Sequence, residues 1–188
     1  SPRLFVEVFV TEMAAPVVAA LLRPPLPTAV PGTWMVEYSQ PNTHKVMHVG
    51  HLRNALLGDT LVRLLRDAGH SVVAANYYGD EGAHIARCRW WIEETGATPP
   101  TDGRGEWLGA MYSAGSQAVY EVEAAARGGD PAAAARLRTI RERIGTIVAG
   151  MERAEPAITA WWRETREWSL TSFREVYRWC DVHFDREF

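Results

Sequence analysis

The chain has 188 residues, of which 47% are hydrophobic and 23% are charged, a composition typical of a globular protein with a packed core. Its formal net charge of −3 excludes a strongly basic nucleic-acid-binding protein, although a local basic patch could still contact a nucleic acid. Two cysteines, Cys88 and Cys180, are too few for a disulfide framework. We therefore expect a reducing, cytoplasmic location and, because no apolar run is long enough to span a bilayer, no membrane partner.

The first 33 residues are predicted to form a strand, a helix and a linker. Residues 4–10 are rich in β-branched and aromatic side chains, which favours a strand. Thr11 is a suitable N-cap for a helix that continues to about Leu22. Four prolines in residues 23–32 then favour an extended loop, and we place the first boundary of the chain, 1–33, at its end.

A strand, a polar turn and a helix follow in close succession. Residues 34–39 begin with an apolar run that predicts a buried strand, and Pro41 ends its pairing. From Leu52 the apolar residues adopt helical spacing, which predicts a helix over residues 49–68. The sequence His-Val-Gly-His at residues 48–51 therefore lies where this helix begins.

The residues at this junction suit an anionic ligand. A helix N-terminus presents unpaired N–H groups and the positive end of a dipole, both of which favour a phosphate. Gly50 allows close approach of a ligand, His48 and His51 can each donate a hydrogen bond, and Lys45 adds a cation.

The His-x-x-His pattern alone is weakly specific, since such a pair can also cap a helix, bind a metal or lie on a surface. No further Cys or His lies close by in the sequence, and no Glu stands between the two histidines. Both features disfavour a zinc site, and we predict no protein-bound metal.

A second strand follows the helix, predicted over residues 71–78. Strand, helix and strand at this spacing indicate a βαβ unit with parallel strands, whose ligands bind at the carboxyl ends of the strands. The turn at residues 79–82 falls at that same edge of the sheet. By itself it is most simply a loop in which Asp80 caps the next helix.

The rest of the chain is predicted to be almost entirely helical. A helix begins near Ile85, and Asp130 and Pro131 provide the N-cap and first position of another. Apolar and aromatic stripes mark the helical faces as core. The helix that begins at Pro131 carries its apolar stripe over residues 137–151, and two further helices are predicted, over about residues 105–126 and from Pro156 to about Cys180.

The stretch from Val36 to Asn54 resembles arginyl-tRNA synthetases. It has the pattern Val-Glu-Tyr-Ser-x-Pro-Asn-Thr-x-Lys-x-x-His-Val-Gly-His-Leu-Arg-Asn. Within this pattern, the four residues His-Val-Gly-His at 48–51 are similar to the HIGH signature of class I aminoacyl-tRNA synthetases. The turn at residues 79–82 is also similar to a motif of this family, Gly-Asp-x-Gly-x-Gln. Gly79, Asp80 and Gly82 match it, whereas His84 stands in place of the family's Gln.

The helical part of the chain carries the resemblance further. The segments 107–112 and 168–177 resemble the helical insertion between the two halves of the synthetase sheet, and 182–185 resembles the strand that closes it. The resemblance implies an α/β fold: a Rossmann-like class I synthetase nucleotide-binding fold, of which 34–95 forms the first half of the parallel sheet. Residues 96–188 are then expected to be a large α-helical insertion.

The resemblance also implies an activity. Arginyl-tRNA synthetases activate arginine with ATP and Mg²⁺ and transfer it to tRNA, so we expect an arginine–tRNA ligase with tRNA contacts largely outside this chain. The residues expected at the ATP phosphates, and expected to be catalytic, are Lys45, His48 and His51. Gly50 would let the nucleotide approach. The residues expected to bind arginine are Glu37, Ser39, Asn42 and Asp80.

The chain contains no stretch similar to the second class I signature, Lys-Met-Ser-Lys-Ser. We therefore expect half an active site, within either part of a larger synthetase or a truncated relative. The alternative is a repurposed paralogue that binds a nucleotide, an amino acid or a protein partner without full aminoacylation activity. A nucleotide transferase of the same superfamily is a further alternative, against which the Ser-x-Pro-Asn run argues.

Overall fold

A computed structural model describes residues 32–188. The strand and helix predicted before residue 23, and the linker as far as residue 31, lie outside this range. In chain order, residues 32–188 form the elements β1 (Thr33–Glu37), α1 (Val49–Asp67), β2 (Ser71–Asn76), α2 (Ala83–Thr95), α3 (Arg104–Arg127), α4 (Pro131–Glu152), α5 (Pro156–Trp179) and β3 (Arg186–Glu187). No helix formed by these residues is both long and apolar enough to cross a membrane.

The three strands form one parallel sheet in the order β1-β2-β3. Glu37 at the end of β1 is in register with Ala75 of β2, and α1 connects the two strands. The predicted parallel strand–helix–strand unit and the α/β fold class are therefore confirmed. Because the strands are parallel, their carboxyl ends meet at one edge of the sheet.

The closing strand begins later than the sequence predicted. It was expected at residues 182–185, but β3 begins at Arg186. The Asp185 carboxylate accepts the Ala74 N–H at 2.7 Å, in the place where a backbone carbonyl would accept it in a regular ladder. The Asp185 N–H also donates to the Ala74 carbonyl at 2.8 Å, so Asp185 already joins the two strands just before the pairing of Arg186 and Glu187 begins.

The prediction that β1 is buried is wrong. Trp34 is 46% exposed and Met35 is 61% exposed, and β1 is an edge strand in the described part of the chain. Helix α1 likewise approaches the sheet through small residues rather than through its leucines. A Cβ atom on Gly58 would overlap the ring of Tyr38, so this glycine sets the close packing of α1 on the sheet.

Two helix termini agree closely with their sequence signals. Asp130 is the N-cap of α4, and its Oδ1 accepts the N–H groups of Ala132 and Ala133 at 2.8 and 3.2 Å, with Pro131 in the first turn. Gly69 directly follows α1 with a φ of +85°, the left-handed conformation that ends many helices.

The core has two parts. One lies between the sheet and α5 and contains Tyr38, Tyr78, Phe173 and Tyr177. The other lies among α2, α3 and α4 and is represented by Trp90, Val119, Ile140 and Ile147. These contacts confirm that the aromatic stripe of α5 is core. Cys88 is fully buried, whereas Cys180 is only half-buried.

The division of the chain at residues 95 and 96 stays a prediction. Helix α2 ends at Thr95, where the boundary was placed. However, α5 and β3, both from the predicted insertion, complete the core and the sheet of the first part.

Candidate active site

The loop of residues 38–48, which we call the signature loop, crosses the carboxyl edge of the sheet between β1 and α1. Its course depends on left-handed backbone at Ser39, Gln40 and His44, with φ of 72°, 52° and 61°. The Thr43 N–H donates to the Gly79 carbonyl at 3.0 Å, and the Gly79 N–H donates to the Pro41 carbonyl at 3.2 Å. These bonds extend the pairing beyond β1 and β2, so the two turns predicted at one edge lie side by side.

Gly79 lets the two turns approach closely. Asn42 and Gly79 form a parallel bridge, and a Cβ atom on Gly79 would overlap Oδ1 of Asn42. Any other residue at position 79 would therefore displace the Asn42 side chain. A glycine at this position of the family motif is therefore needed for the packing of Asn42, a predicted arginine-binding residue.

His48 and His51 cap α1 reciprocally. The Gly50 N–H donates to Nδ1 of His48 at 3.1 Å, and the His48 N–H donates to Nδ1 of His51 at 3.2 Å. The two ring centroids lie 3.9 Å apart. Both Nδ1 atoms accept, so both rings must be neutral with the proton on Nε2.

This arrangement changes the expected donors at the helix N-terminus. The sequence predicted free amide groups near Gly50, but the Gly50 N–H is already bonded to the His48 ring. The cap uses only the Nδ1 atoms of His48 and His51, so their Nε2–H groups are available to donate to a ligand at this end of the helix. Partial burial lowers the pKa of His51, and the positive charge of Lys45, together with that of His48 whenever His48 is protonated, lowers it further, which favours the neutral ring.

Lys45 is the one lysine in a sequence that contains 20 basic residues. Its Nζ lies 5.1 Å from the ring centroid of Tyr112 in α3. Within the described part of the chain, no carboxylate lies within ion-pairing distance of it. Its positive charge is therefore not neutralised by an acidic side chain there.

His84, which replaces the family's Gln, contacts the same Tyr112 as this lysine. Its ring meets Tyr112 edge-on, with centroids 6.4 Å apart. Burial lowers the pKa of His84, and the charge of Lys45 lowers it further. Its buried Nε2 has no hydrogen-bond partner among residues 32–188.

Two of the four predicted arginine-binding residues face outwards. Glu37 is exposed at the end of β1, where its carboxylate accepts a hydrogen bond from Nε2 of Gln40 at 2.5 Å. Asn42 is half-buried beside Gly79. The structure therefore brings a carboxylate and an amide to the same edge of the sheet as Lys45.

The other two are engaged with α5. Ser39 is buried, and its Oγ lies 2.8 Å from the Tyr177 hydroxyl. The Asp80 carboxylate accepts from Nε of Arg166 at 2.5 Å, so its charge is already balanced. The backbone carbonyl of Asp80 also accepts from Nε1 of Trp162 at 2.6 Å.

Comparison with known proteins identifies the domain. Residues 28–187 match the family described as tRNA synthetases class I (R), catalytic domain. The chain belongs to this family. An arginine–tRNA ligase of Bdellovibrio bacteriovorus is 40% identical over 152 residues, which cover 80% of this chain and 25% of that protein. One from Bacteroides fragilis (strain YCH46) is 32% identical over 158 residues, covering 81% of this chain and 26% of the relative.

Solved structures agree with this assignment. The arginyl-tRNA synthetase of Thermus thermophilus superposes with a TM-score of 0.59 at 26% identity, covering 92% of this chain and 26% of that chain. That of Plasmodium falciparum has a TM-score of 0.56, covers 82% of this chain and 23% of that chain, and at 18% identity supports the fold alone. The resemblance and the Rossmann-like class I fold are thus confirmed. The chain spans about a quarter of the length of the curated relatives it matches.

In this synthetase domain, sequence reasoning missed the role of His44. The residue is completely buried, its N–H donates to Oγ of Ser169 at 2.9 Å, and its Nε2 lies 2.8 Å from Oγ1 of Thr165. The Thr165 hydroxyl donates to the Trp161 carbonyl at 2.9 Å, so it must accept from His44. Nε2 therefore carries a proton, and because burial lowers the pKa of His44 to about 3, the ring is otherwise unprotonated and neutral. The bond to Thr165 ties the signature loop to α5.

The synthetase domain also has a cavity of about 650 Å³ beside the Gly79–Gly82 turn. Its wall includes Glu81, Met151, Glu152 and Trp162, from that turn and from α4 and α5. Glu81 stands where the family often has Trp. From Gly32 to Phe188 no cluster of three or more His, Cys, Asp or Glu side chains could hold a metal ion.

Proposed function

We propose that this chain is part of the catalytic domain of a cytoplasmic arginine–tRNA ligase, which activates arginine with ATP and transfers it to tRNA. The observation that carries the proposal is the convergence of Lys45, His48 and His51 at the carboxyl edge of the parallel sheet, in a domain whose relatives are named arginine–tRNA ligases. Because the chain spans about a quarter of those relatives, contacts to tRNA would come largely from other parts of the enzyme.

We propose that Lys45, His48 and His51 contact the phosphates of ATP. The Nε2–H groups of the two histidines would donate to phosphate oxygens while their Nδ1 atoms keep the helix cap. The Lys45 ammonium would offset the negative charge that grows when the arginine carboxylate attacks the α-phosphate in line. Gly50, which carries no side chain, would leave room for the nucleotide.

Mg²⁺ would accompany ATP rather than occupy a site made by this part of the protein. Magnesium usually keeps several water ligands and binds through substrate phosphates together with only one or two carboxylates. The lack of a three-ligand cluster between residues 32 and 188 fits that mode of binding.

Glu37 and Asn42 are proposed to contact arginine directly. The exposed Glu37 carboxylate can pair with a cationic group, and a guanidinium is matched to a carboxylate by two parallel hydrogen bonds. Ser39 and Asp80 are proposed to shape the same pocket while they remain bound to Tyr177 and Arg166.

The test is ATP–pyrophosphate exchange in the presence and absence of arginine, together with calorimetric titration of ATP. If the chain alone supports exchange, Glu37→Gln should abolish its dependence on arginine, and in either case the variant should leave ATP binding within about twofold. We expect His51→Asn to weaken ATP binding about 10-fold or more, since hydrogen bonds to charged groups are the strong ones. Glu142→Gln, on the exposed face of α4, is the matched control for loss of one carboxylate.

The outcomes separate the candidate functions. Exchange that requires arginine and Glu37 would support the ligase. ATP binding that depends on His51, without exchange, would favour a nucleotide-binding paralogue or a site completed by other parts of the enzyme. Absence of both would contradict the proposal.

A further inference from the structure

Helix α3 lies directly against the signature loop. A Cβ atom on Gly109 would lie 2.9 Å from the backbone nitrogen of Val46 and would overlap the Val46 side chain. The backbones of helix and loop are therefore in close contact at this glycine. Tyr112, three residues further along α3, lies on the same face of the helix and contacts the neighbouring loop residue, Lys45.

The contact places a cation over an aromatic face. The 5.1 Å between Lys45 Nζ and the Tyr112 ring centroid is within the range of a cation–π interaction. The lysine side chain is a flexible stem of four carbons, so without the contact to Tyr112 its ammonium group would move freely. The charge of Lys45 lowers the pKa of His51, which caps α1, and of His84, whose ring meets the same Tyr112.

We propose that Tyr112 is a positioning residue that holds the Lys45 ammonium beside His51, ready to meet the phosphates of a nucleotide. An aromatic face suits this task because it fixes the cation without cancelling its charge. A carboxylate in the same place would neutralise Lys45 and repel the incoming phosphates. The inference deepens the proposed function and rests on it, since it assigns to α3 a part in ATP binding.

The single lysine makes the contact directly measurable. Reductive methylation with ¹³C-formaldehyde labels Lys45 and the N-terminal amine only, and dimethylation keeps the charge. The two signals are distinguished by the Lys45→Met variant, which retains only the signal of the N-terminal amine. We expect the Lys45 methyl protons of the unmutated protein to be shifted upfield by the Tyr112 ring.

Three variants test the assignment by NMR. Tyr112→Phe keeps the aromatic face and should keep the upfield shift, whereas Tyr112→Leu should move the Lys45 signal to the position of a free lysine. Tyr112→Met tests the same loss with a flexible side chain if the leucine variant does not fold. An unshifted Lys45 signal in the unmutated protein would overturn the proposal without any variant.

Calorimetric titration with ATP and with inorganic pyrophosphate then tests the consequence. We expect Tyr112→Leu to weaken both by about 3- to 10-fold, and Tyr112→Phe to restore affinity to within about twofold. In a Lys45→Met background, Tyr112→Leu should cause no further loss, because the two residues act through one contact.

Failure of the positioning role can be distinguished from failure of the proposed function. If Tyr112→Leu moves the Lys45 signal but leaves ATP affinity unchanged, the positioning role is refuted while the proposed function stands. If Tyr112→Leu weakens binding equally in the Lys45→Met background, its effect is structural, and the positioning role is again refuted. If the unmutated protein binds neither ligand, the proposed function and the inference fall together.

Discussion

The buried His44 makes the stability of the domain depend on pH. Its ring is neutral, bonded to Thr165 through Nε2, and 0% exposed, and burial lowers its pKa to about 3, with a smaller contribution from the charge of His84. In the unfolded chain a histidine has a pKa of about 6.5. Between pH 6.5 and pH 3 the unfolded state therefore binds a proton that the folded state does not, and stability falls as the pH falls.

The size of the effect follows from this difference. A group protonated only in the unfolded state changes the free energy of unfolding by about 1.4 kcal/mol per pH unit. Between pH 7.5 and pH 5, where the unfolded histidine gains most of its proton, His44 should account for a loss of about 2 kcal/mol. Carboxylates contribute mainly below this range, since they titrate near pH 4.

Urea unfolding at intervals from pH 7.5 to pH 5 measures the effect. His44→Asn should lower stability at every pH but reduce the loss across the range by about 2 kcal/mol relative to the unmutated protein. His51 and His84, whose pKa values are also lowered, remain in both proteins, so the difference isolates His44. His183→Asn is the control, because His183 is largely exposed. Equal pH dependence in the His44→Asn and unmutated proteins would refute a neutral buried His44.

Two further perturbations test the edge of the sheet. Gly79→Ala should displace Asn42 and destabilise the fold by roughly 1–3 kcal/mol in urea unfolding, as overpacking does. Gly145→Ala, in open space within α4, should instead stabilise it by about 0.5–1 kcal/mol, and destabilisation by both would point to a general effect of alanine. Arg166→Ala should cost about 1.5–3 kcal/mol because it leaves the largely buried Asp80 carboxylate unpaired. An unchanged free energy of unfolding in Arg166→Ala would mean that the pair contributes little.

Local signals were sufficient for most of the elements. The apolar spacing predicted α1 and α4, and Asp130 with Pro131 marked the start of α4 because caps and first-turn prolines act within a few residues. The meeting of the two turns was also predictable, since parallel strands bring their carboxyl ends to one edge. What the pattern of β1 could not show was burial, which depends on whether other elements cover the faces of the sheet.

The missed features are contacts between distant parts of the chain. His44 and Thr165 are 121 positions apart, and nothing in the sequence around either indicates the other. Lys45 and Tyr112 meet only because Gly109 lets α3 approach the signature loop. The pairing of Asp80 with Arg166 likewise depends on how α5 packs, which the periodicity of α5 does not specify.

We propose that the Nε2–H groups of His48 and His51 face a nucleotide while their Nδ1 atoms cap α1. Imidazole ¹H–¹⁵N spectra of the histidine-labelled protein, recorded with and without ATP, observe these nitrogen atoms themselves. We expect ATP to shift the Nε2 signals of both residues, to leave their Nδ1 signals unprotonated, and to leave the signals of the distant, exposed His183 unchanged. Unchanged Nε2 signals at saturating ATP, or shifts confined to other histidines, would contradict the account.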